Sequence, residues 1–133
     1  MRSERPGKRP SPTTSRPTDV TLRPSRGEVW EVDLRTTRGR EQAGRRPALV
    51  VSTDRFNHGP AGLVVVLPMT TRPKGIPLHV EVEPPEGGVR ERSFVKPEDI
   101  RSVSTERLGE RWGVVSPNTL MAVEARLRVL LEL

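Results

Sequence analysis

Hydrophobic and polar positions first fall into a regular pattern at residues 27–34. In GEVWEVDL, Trp30, Val32 and Leu34 alternate with Glu31 and Asp33, the two-residue period of a strand with one buried face. PALVVST (47–53) and LVVVLPM (63–69) are β-branched runs too short for a buried helix, so they predict two interior strands. LHVEVE (78–83) alternates again, and VRERSFVK (89–96), IRSVS (100–104) and RWGVV (111–115) predict three further strands, with TERL (105–108) as one helical turn. The intervening DRFNHGPAG, TTRPKGIP, PPEGG and PEDI carry turn chemistry. The period changes after Ser116, which has the residue type of an N-cap and is followed by Pro117 at a first helical position. Leu120, Val123, Leu127 and Leu130/Leu131 then recur at helical spacing, with Glu124, Arg126 and Arg128 on the other side. The expected fold class is mainly β: a small barrel with a C-terminal α-helix packed on it.

Residues 1–25 fit none of these patterns. They hold five prolines, many Ser and Thr, and only Val20 and Leu22 as sizeable apolar groups beyond the initiating Met. Such a segment cannot bury enough surface to offset its ordering entropy, so a disordered basic tail (1–25) ahead of a single domain (26–133) is expected. The net charge of +6 sits largely in that tail, which contributes +4 against +2 from the remaining 108 residues. The domain's own charges must therefore be judged by where they cluster. With no cysteine there is neither a disulfide framework nor a thiol nucleophile. No apolar run approaches a membrane span, and the basic N-terminus lacks the apolar stretch of a secretory signal, so a cytoplasmic location is expected.

Few catalytic patterns survive inspection. His58 falls in a turn and His79 on a strand, with no metal-ligand spacing between them, and both read as surface histidines. Neither a metal nor a cofactor is expected. There is no GxSxG elbow, Walker A loop or GxGxxG fingerprint. Trp30, Phe56, Phe94 and Trp112 read as core residues. What stands out is RTTRGREQAGRR (35–46), with five arginines (Arg35, Arg38, Arg40, Arg45, Arg46) against the single acid Glu41. Gly39 and Gly44 allow a ligand to approach the backbone, and guanidinium forks match phosphate. A solvated charged loop is the plainer alternative. PMTTRPKG (68–75) adds two hydroxyls, Thr70 and Thr71, at a strand end, followed by Arg72 and Lys74.

Taken in order, RGEVWEVDL, TTRGREQAGRRPALVVSTDRFN, VVVLPMTTRPKGIPLHVEV and EDIRSVSTERLGERWGVVSP resemble the MazF/PemK/Kid toxins, from about Arg26 to the C-terminus. The resemblance implies an SH3-like β-barrel with a C-terminal helix and a homodimer. It implies metal-independent cleavage of single-stranded RNA through the substrate's own 2′-hydroxyl, leaving a 2′,3′-cyclic phosphate and a 5′-hydroxyl. It also implies an antitoxin partner whose acidic tail covers the RNA groove. The essential pair of the chromosomal branch falls on Arg46 and Thr70. Arg38, Arg40, Glu41, Gln42, Arg45, Thr71 and Lys74 then become the expected RNA contacts. The chain departs from the pattern at Arg40, where many relatives carry Ser or His. In the plasmid-borne branch a later Arg and Asp are catalytic, and those positions hold Lys96 and Glu98 here, so the Arg46/Thr70 scheme is preferred. Arg46 suits stabilisation of the pentavalent phosphate but not proton abstraction. Thr70 suits a hydrogen bond to a non-bridging oxygen. Glu41 is a candidate proton acceptor if desolvation raises its pKa. Two rivals keep the fold and change the function: a gyrase-targeting toxin and a non-catalytic RNA-binding barrel.

Overall fold

The computed structural model describes residues 23–35 and 44–133. The expectations of disorder over most of the tail, and of RNA contacts from Arg38, Arg40, Glu41 and Gln42, lie outside the described residues. Seven antiparallel strands are formed: β1 (Glu28–Asp33), β2 (Arg45–Val50), β3 (Leu63–Thr70), β4 (Val80–Val82), β5 (Ser93–Val95), β6 (Arg101–Ser104) and β7 (Leu108–Val114). Among the described residues two α-helices accompany them, α1 (Asp54–Asn57) and α2 (Pro117–Leu131). The sheet runs β4-β5-β3-β2-β1-β7, and β6 pairs with β3. The long strand β3 serves both halves: Leu63–Val66 pair with β6, and Met69 and Thr70 pair with β5. Register shifts on β1 around Trp30 against β7 help curl the sheet into a half-barrel.

The sheet is apolar on both faces. Val29, Leu49, Leu67, Met69 and Val95 bury one face with Val123 of α2. Trp30, Val32, Ala48, Val50, Val64 and Val66 bury the other with Val103 and Leu108. Adjacent residues such as Val29 and Trp30 are therefore both interior, and β1 is not the one-faced strand that its alternation suggests. The helix follows its predicted boundaries. The Ser116 hydroxyl accepts the Thr119 amide at 3.1 Å, and the Glu86 carboxylate accepts the Ser116 amide at 2.8 Å.

Several predicted boundaries move. The expected strand 89–96 is paired only over Ser93–Val95, and 78–83 only over Val80–Val82. DRFN is a short helix because the Thr53 hydroxyl caps it by accepting from the Phe56 amide at 3.3 Å. PEDI closes as a 3-10 turn over Pro97–Asp99. β7 begins at Leu108 rather than 111, where Gly109 and exposed Glu110 obscure the pattern. Gly88 explains a glycine in the preceding turn. Its φ is +74°, and an added Cβ would lie 2.2 Å from the Trp112 carbonyl oxygen. Phe56, on this four-residue helix, is exposed rather than core. Trp112 is half-buried.

Order extends slightly N-terminal of the expected boundary. Pro24 is fully buried, and its carbonyl accepts a hydrogen bond from His58 Nε2 at 2.8 Å. The Ser25 amide donates to Glu28 Oε1 at 2.8 Å, and Arg26 links the Val51 carbonyl to Glu124 on α2. Burial alone would raise the Glu28 carboxyl, but hydrogen bonds from Trp30, Ser25 and Arg111 outweigh it and hold the pKa below the usual range. A depressed folded-state pKa stabilises above the unfolded value, and that contribution is lost as pH falls through the folded one.

Two outcomes follow for thermal unfolding. A chain shortened to begin at Arg23 is expected to keep its melting temperature, whereas one beginning at Ser25 loses the Pro24 contacts and melts a few degrees lower. The midpoint of Glu28→Gln should lie below that of the parent at pH 7, and the gap should narrow below about pH 4, the ordinary Glu range.

Candidate active site

The β2–β3 register positions the two residues singled out for phosphate chemistry. Val50 faces Val66, Leu49 faces Leu67 and Ala48 faces Pro68. The facing pairs end there, and Arg46 and Thr70 stand two residues beyond them, toward the same end of the two strands. Val32 of β1 faces Arg46, Phe94 of β5 faces Thr70, and Glu81 of β4 faces Phe94. Opposed residues project from the same side of a sheet. Val32 and Arg46 thus form one facing pair, and Thr70, Phe94 and Glu81 form a row across β3, β5 and β4. Val32 belongs to the buried cluster with Ala48, Val50 and Val66, so Arg46 and Thr70 emerge where that core ends. Arg46 is exposed and Thr70 half-buried.

The local environment leaves this pair available. The Arg46 guanidinium meets no carboxylate among the described residues. Its neighbours are engaged: Arg45 lies 3.9 Å from Glu31, Arg35 makes a fork to Asp33, and Arg107 donates to backbone carbonyls. Arg45 leaves on the opposite face from Arg46, as adjacent strand residues must. The Thr70 hydroxyl oxygen accepts the Arg72 amide at 3.1 Å, which orients the hydroxyl while its O–H remains a donor. Thr71 and Lys74 are exposed in the loop beyond β3.

The base of the Arg-rich loop is fixed on both sides. The Leu34 amide donates to the Gly44 carbonyl at 3.2 Å, and Gly44 adopts φ +72°, which glycine reaches without a Cβ penalty. Arg107 Nη1 donates to the carbonyls of Asp33 at 3.1 Å and Arg35 at 2.8 Å. The Asp33 carboxyl is driven far below the usual carboxylate range by its hydrogen bonds from Arg35.

Lys96 and Glu98 stand one row away. The Lys96 amide donates to the Pro68 carbonyl at 3.0 Å, and its ammonium lies 3.7 Å from Asp99. Glu98 Oε2 is 2.8 Å from Nε2 of His79. Burial would raise the Glu98 carboxyl, but the His79 hydrogen bond and the Lys96 charge keep it lowered. The His79 side chain is only 4% exposed and its Nδ1 is buried without a partner, so it is not the surface histidine expected. The strand alternation placed it opposite the buried Val80 side and thus in water, but Glu98 folds over it from the 3-10 turn. A second cluster escaped sequence reasoning altogether. Arg92 lies 5.1 Å over the Phe94 ring and donates to Glu81 at 2.7 Å. Its only sequence signal is that His79, Glu81 and Glu83 alternate with the apolar residues of LHVEVE, as Arg92, Phe94 and Lys96 alternate with Ser93 and Val95. Among the described residues no three His, Cys, Asp or Glu side chains group closely enough to hold a metal ion.

Removing the Arg107 clamp tests the loop base directly. Arg107→Ala should lower stability by about 1–2 kcal/mol, the scale of charge-assisted hydrogen bonds. It should also speed hydrogen exchange at the Leu34 amide relative to core amides such as Leu49.

Comparison with known proteins adds the following. Residues 25–131 match the family described as PemK-like, MazF-like toxin of type II toxin-antitoxin system. The chain is similar to Endoribonuclease MazF9 of Mycobacterium tuberculosis, 37% identical over 113 residues that cover 81% of this chain and 96% of that protein. It is similar to Endoribonuclease toxin MazF of Escherichia coli K12, 31% identical with 81% and 94% covered. Its fold matches the crystal structure of MazE-MazF from Deinococcus radiodurans with a TM-score of 0.72 at 31% identity, covering 84% of this chain and 97% of that one. A mycobacterial endoribonuclease in complex with its cognate antitoxin matches with a TM-score of 0.67 at 27% identity, covering 84% and 95%.

Proposed function

The chain belongs to the PemK/MazF family of toxins of type II toxin–antitoxin systems, and on that premise we propose how it cuts RNA. It is an endoribonuclease toxin. Its substrate is single-stranded RNA, cleaved at a short sequence without a metal ion. The attacking group is the 2′-hydroxyl next to the cleaved phosphate, and the products are a 2′,3′-cyclic phosphate and a 5′-hydroxyl. The observation that supports this reading is that Arg46, with no carboxylate partner among the described residues, and Thr70 stand at the same end of β2 and β3, two residues beyond the facing pair Ala48 and Pro68.

An in-line attack by a neighbouring hydroxyl needs geometry and charge stabilisation more than a new nucleophile. Arg46 holds the phosphate through its fork as negative charge accumulates on the non-bridging oxygens. Thr70, with its oxygen fixed by the Arg72 amide, donates to one of those oxygens. Both side chains stand on paired strands, so little reorganisation accompanies the reaction. Thr71, Lys74 and the arginines of the 35–46 loop extend the contact along the RNA backbone. Arg45, on the opposite face and near Glu31, contributes only if the RNA passes around the loop.

The protein acts as a homodimer, and a cognate antitoxin with an acidic segment occupies the same arginines. No helix among the described residues is long and apolar enough to cross a membrane. Action on cellular RNA accords with a cytoplasmic site. A gyrase-directed role would leave the Arg46/Thr70 pair without use.

Purified protein incubated with a long RNA and EDTA, read by primer extension, tests the proposal. Arg46→Ala should slow cleavage by roughly a hundredfold while leaving the melting temperature unchanged. Arg46→Lys should rescue poorly, because a point charge does not replace a fork. Thr70→Val removes the hydroxyl alone and should also slow cleavage. Wild-type rates in Arg46→Ala would move attention to Lys96 and Glu98, and loss of activity with EDTA would require a metal. An antitoxin that competes for these arginines should inhibit less in high salt.

A further inference from the structure

The same sheet face carries a second feature beside Thr70. Phe94 lies directly across from Thr70, and Arg92, two residues earlier on that face, sits 5.1 Å over the Phe94 ring. Phe94 itself is 9% exposed, so it is no open platform; the guanidinium covers it. Arg92 Nε donates to Glu81 at 2.7 Å, and Glu83 lies 3.8 Å away. The guanidinium is thus held between a ring and two carboxylates, while its side chain stays 57% exposed.

We propose that Arg92, laid over Phe94 and fixed by Glu81, is a stacking shelf for the base of a nucleotide flanking the phosphate held at Arg46 and Thr70. The proposal rests on cleavage at that pair and adds a specificity subsite to it. Three arguments support a base rather than a phosphate. Arg92 is neutralised by its partners, which makes it a poor anchor for a second phosphate, whereas its weakly hydrated plane still stacks. Phe94, the ring beneath Arg92, directly faces Thr70, which puts the shelf beside the phosphate held there. The carboxylates at the edge of the shelf accept hydrogen bonds and cannot donate them while ionised. The proximity of Glu81 raises the Glu83 carboxyl, which makes the edge less negative than two separate glutamates. A base offering N–H groups fits such an edge. Guanine, with adjacent N1–H and N2–H, fits best; uracil, which presents two carbonyls, fits worst.

Two measurements test this. Cut sites mapped on a long RNA should show one position beside the cleaved bond enriched in guanine and depleted in uracil. Arg92→Ala should flatten the preference at that position alone and raise KM about tenfold with little change in kcat, a loss within the range of one base stack. Arg92→Lys should behave like alanine, since it keeps charge without a plane, and it serves if the alanine variant melts early. Binding of 2′-O-methyl oligonucleotides, which cannot be cut, separates the shelf from the chemistry. Wild type should hold a guanine-containing oligonucleotide more tightly than its uracil counterpart, and Arg92→Ala should erase the difference. Equal base preference and equal affinity in wild type and both Arg92 variants would overturn the shelf. Absence of cutting by wild type with the binding difference intact would overturn the cleavage reading and leave the shelf standing.

Discussion

Three facing pairs, Val50 with Val66, Leu49 with Leu67 and Ala48 with Pro68, hold the functional surface in place. They are buried on both sides of the sheet, so a slip of one residue would exchange the two apolar clusters and expose neither to advantage. That double burial pins the register more firmly than a half-exposed sheet could. The same register brings Arg46 and Thr70 to one end of β2 and β3, two residues beyond Ala48 and Pro68, while Phe94 faces Thr70 and Arg45 turns away. The geometry of the site is therefore inherited from the packing of valines and leucines that touch no substrate.

Strand β3 carries a double duty that explains the shape. It is shared between β6 near its start and β5 at its end, so the sheet divides where β3 runs out. Thr70 lies at that division, between a rigid core and a polar loop. Residues at such a position have a fixed backbone and a side chain that still meets solvent, which is what phosphate recognition by a neutral hydroxyl requires. On the other strand, Arg46 precedes a proline and opposes buried Val32, with the same combination of a held backbone and a free head group.

Much of this was legible in the chain. The β-branched runs at 47–53 and 63–69 and the capped helix after Ser116 have periods that leave few alternatives, and they became β2, β3 and α2. The motif around GRRP and PMTT singled out Arg46 and Thr70, the pair proposed to be reactive, before any register was known. What was not legible depends on contacts distant in sequence. His79 looks solvent-facing until Glu98, 19 residues later, folds onto its Nε2. Glu81 and Arg92 are 11 residues apart and look like ordinary surface charges until β4 and β5 pair. Pro24 looked like part of a polar leader, because a single buried proline leaves no periodic trace. In each case local pattern reports which face a residue takes, and only tertiary pairing reports what covers that face.

The arginines show why net charge is a poor guide to such a surface. The chain is basic by +6, yet most of the guanidinium groups around the sheet are already satisfied. Arg111 is bound to Glu28, Arg101 to Asp99, Arg92 to Glu81 and Arg35 to Asp33. Exposed pairs of this kind contribute little to stability, but they decide where positive potential survives. Among the described residues Arg46 has no such carboxylate, while the charge of Arg92 is offset by Glu81 and Glu83. Two arginines on one face can then serve different parts of one nucleotide chain, one recognising phosphate by charge and the other recognising a base by shape. The distinction is made by the carboxylates beside them and not by the arginines themselves.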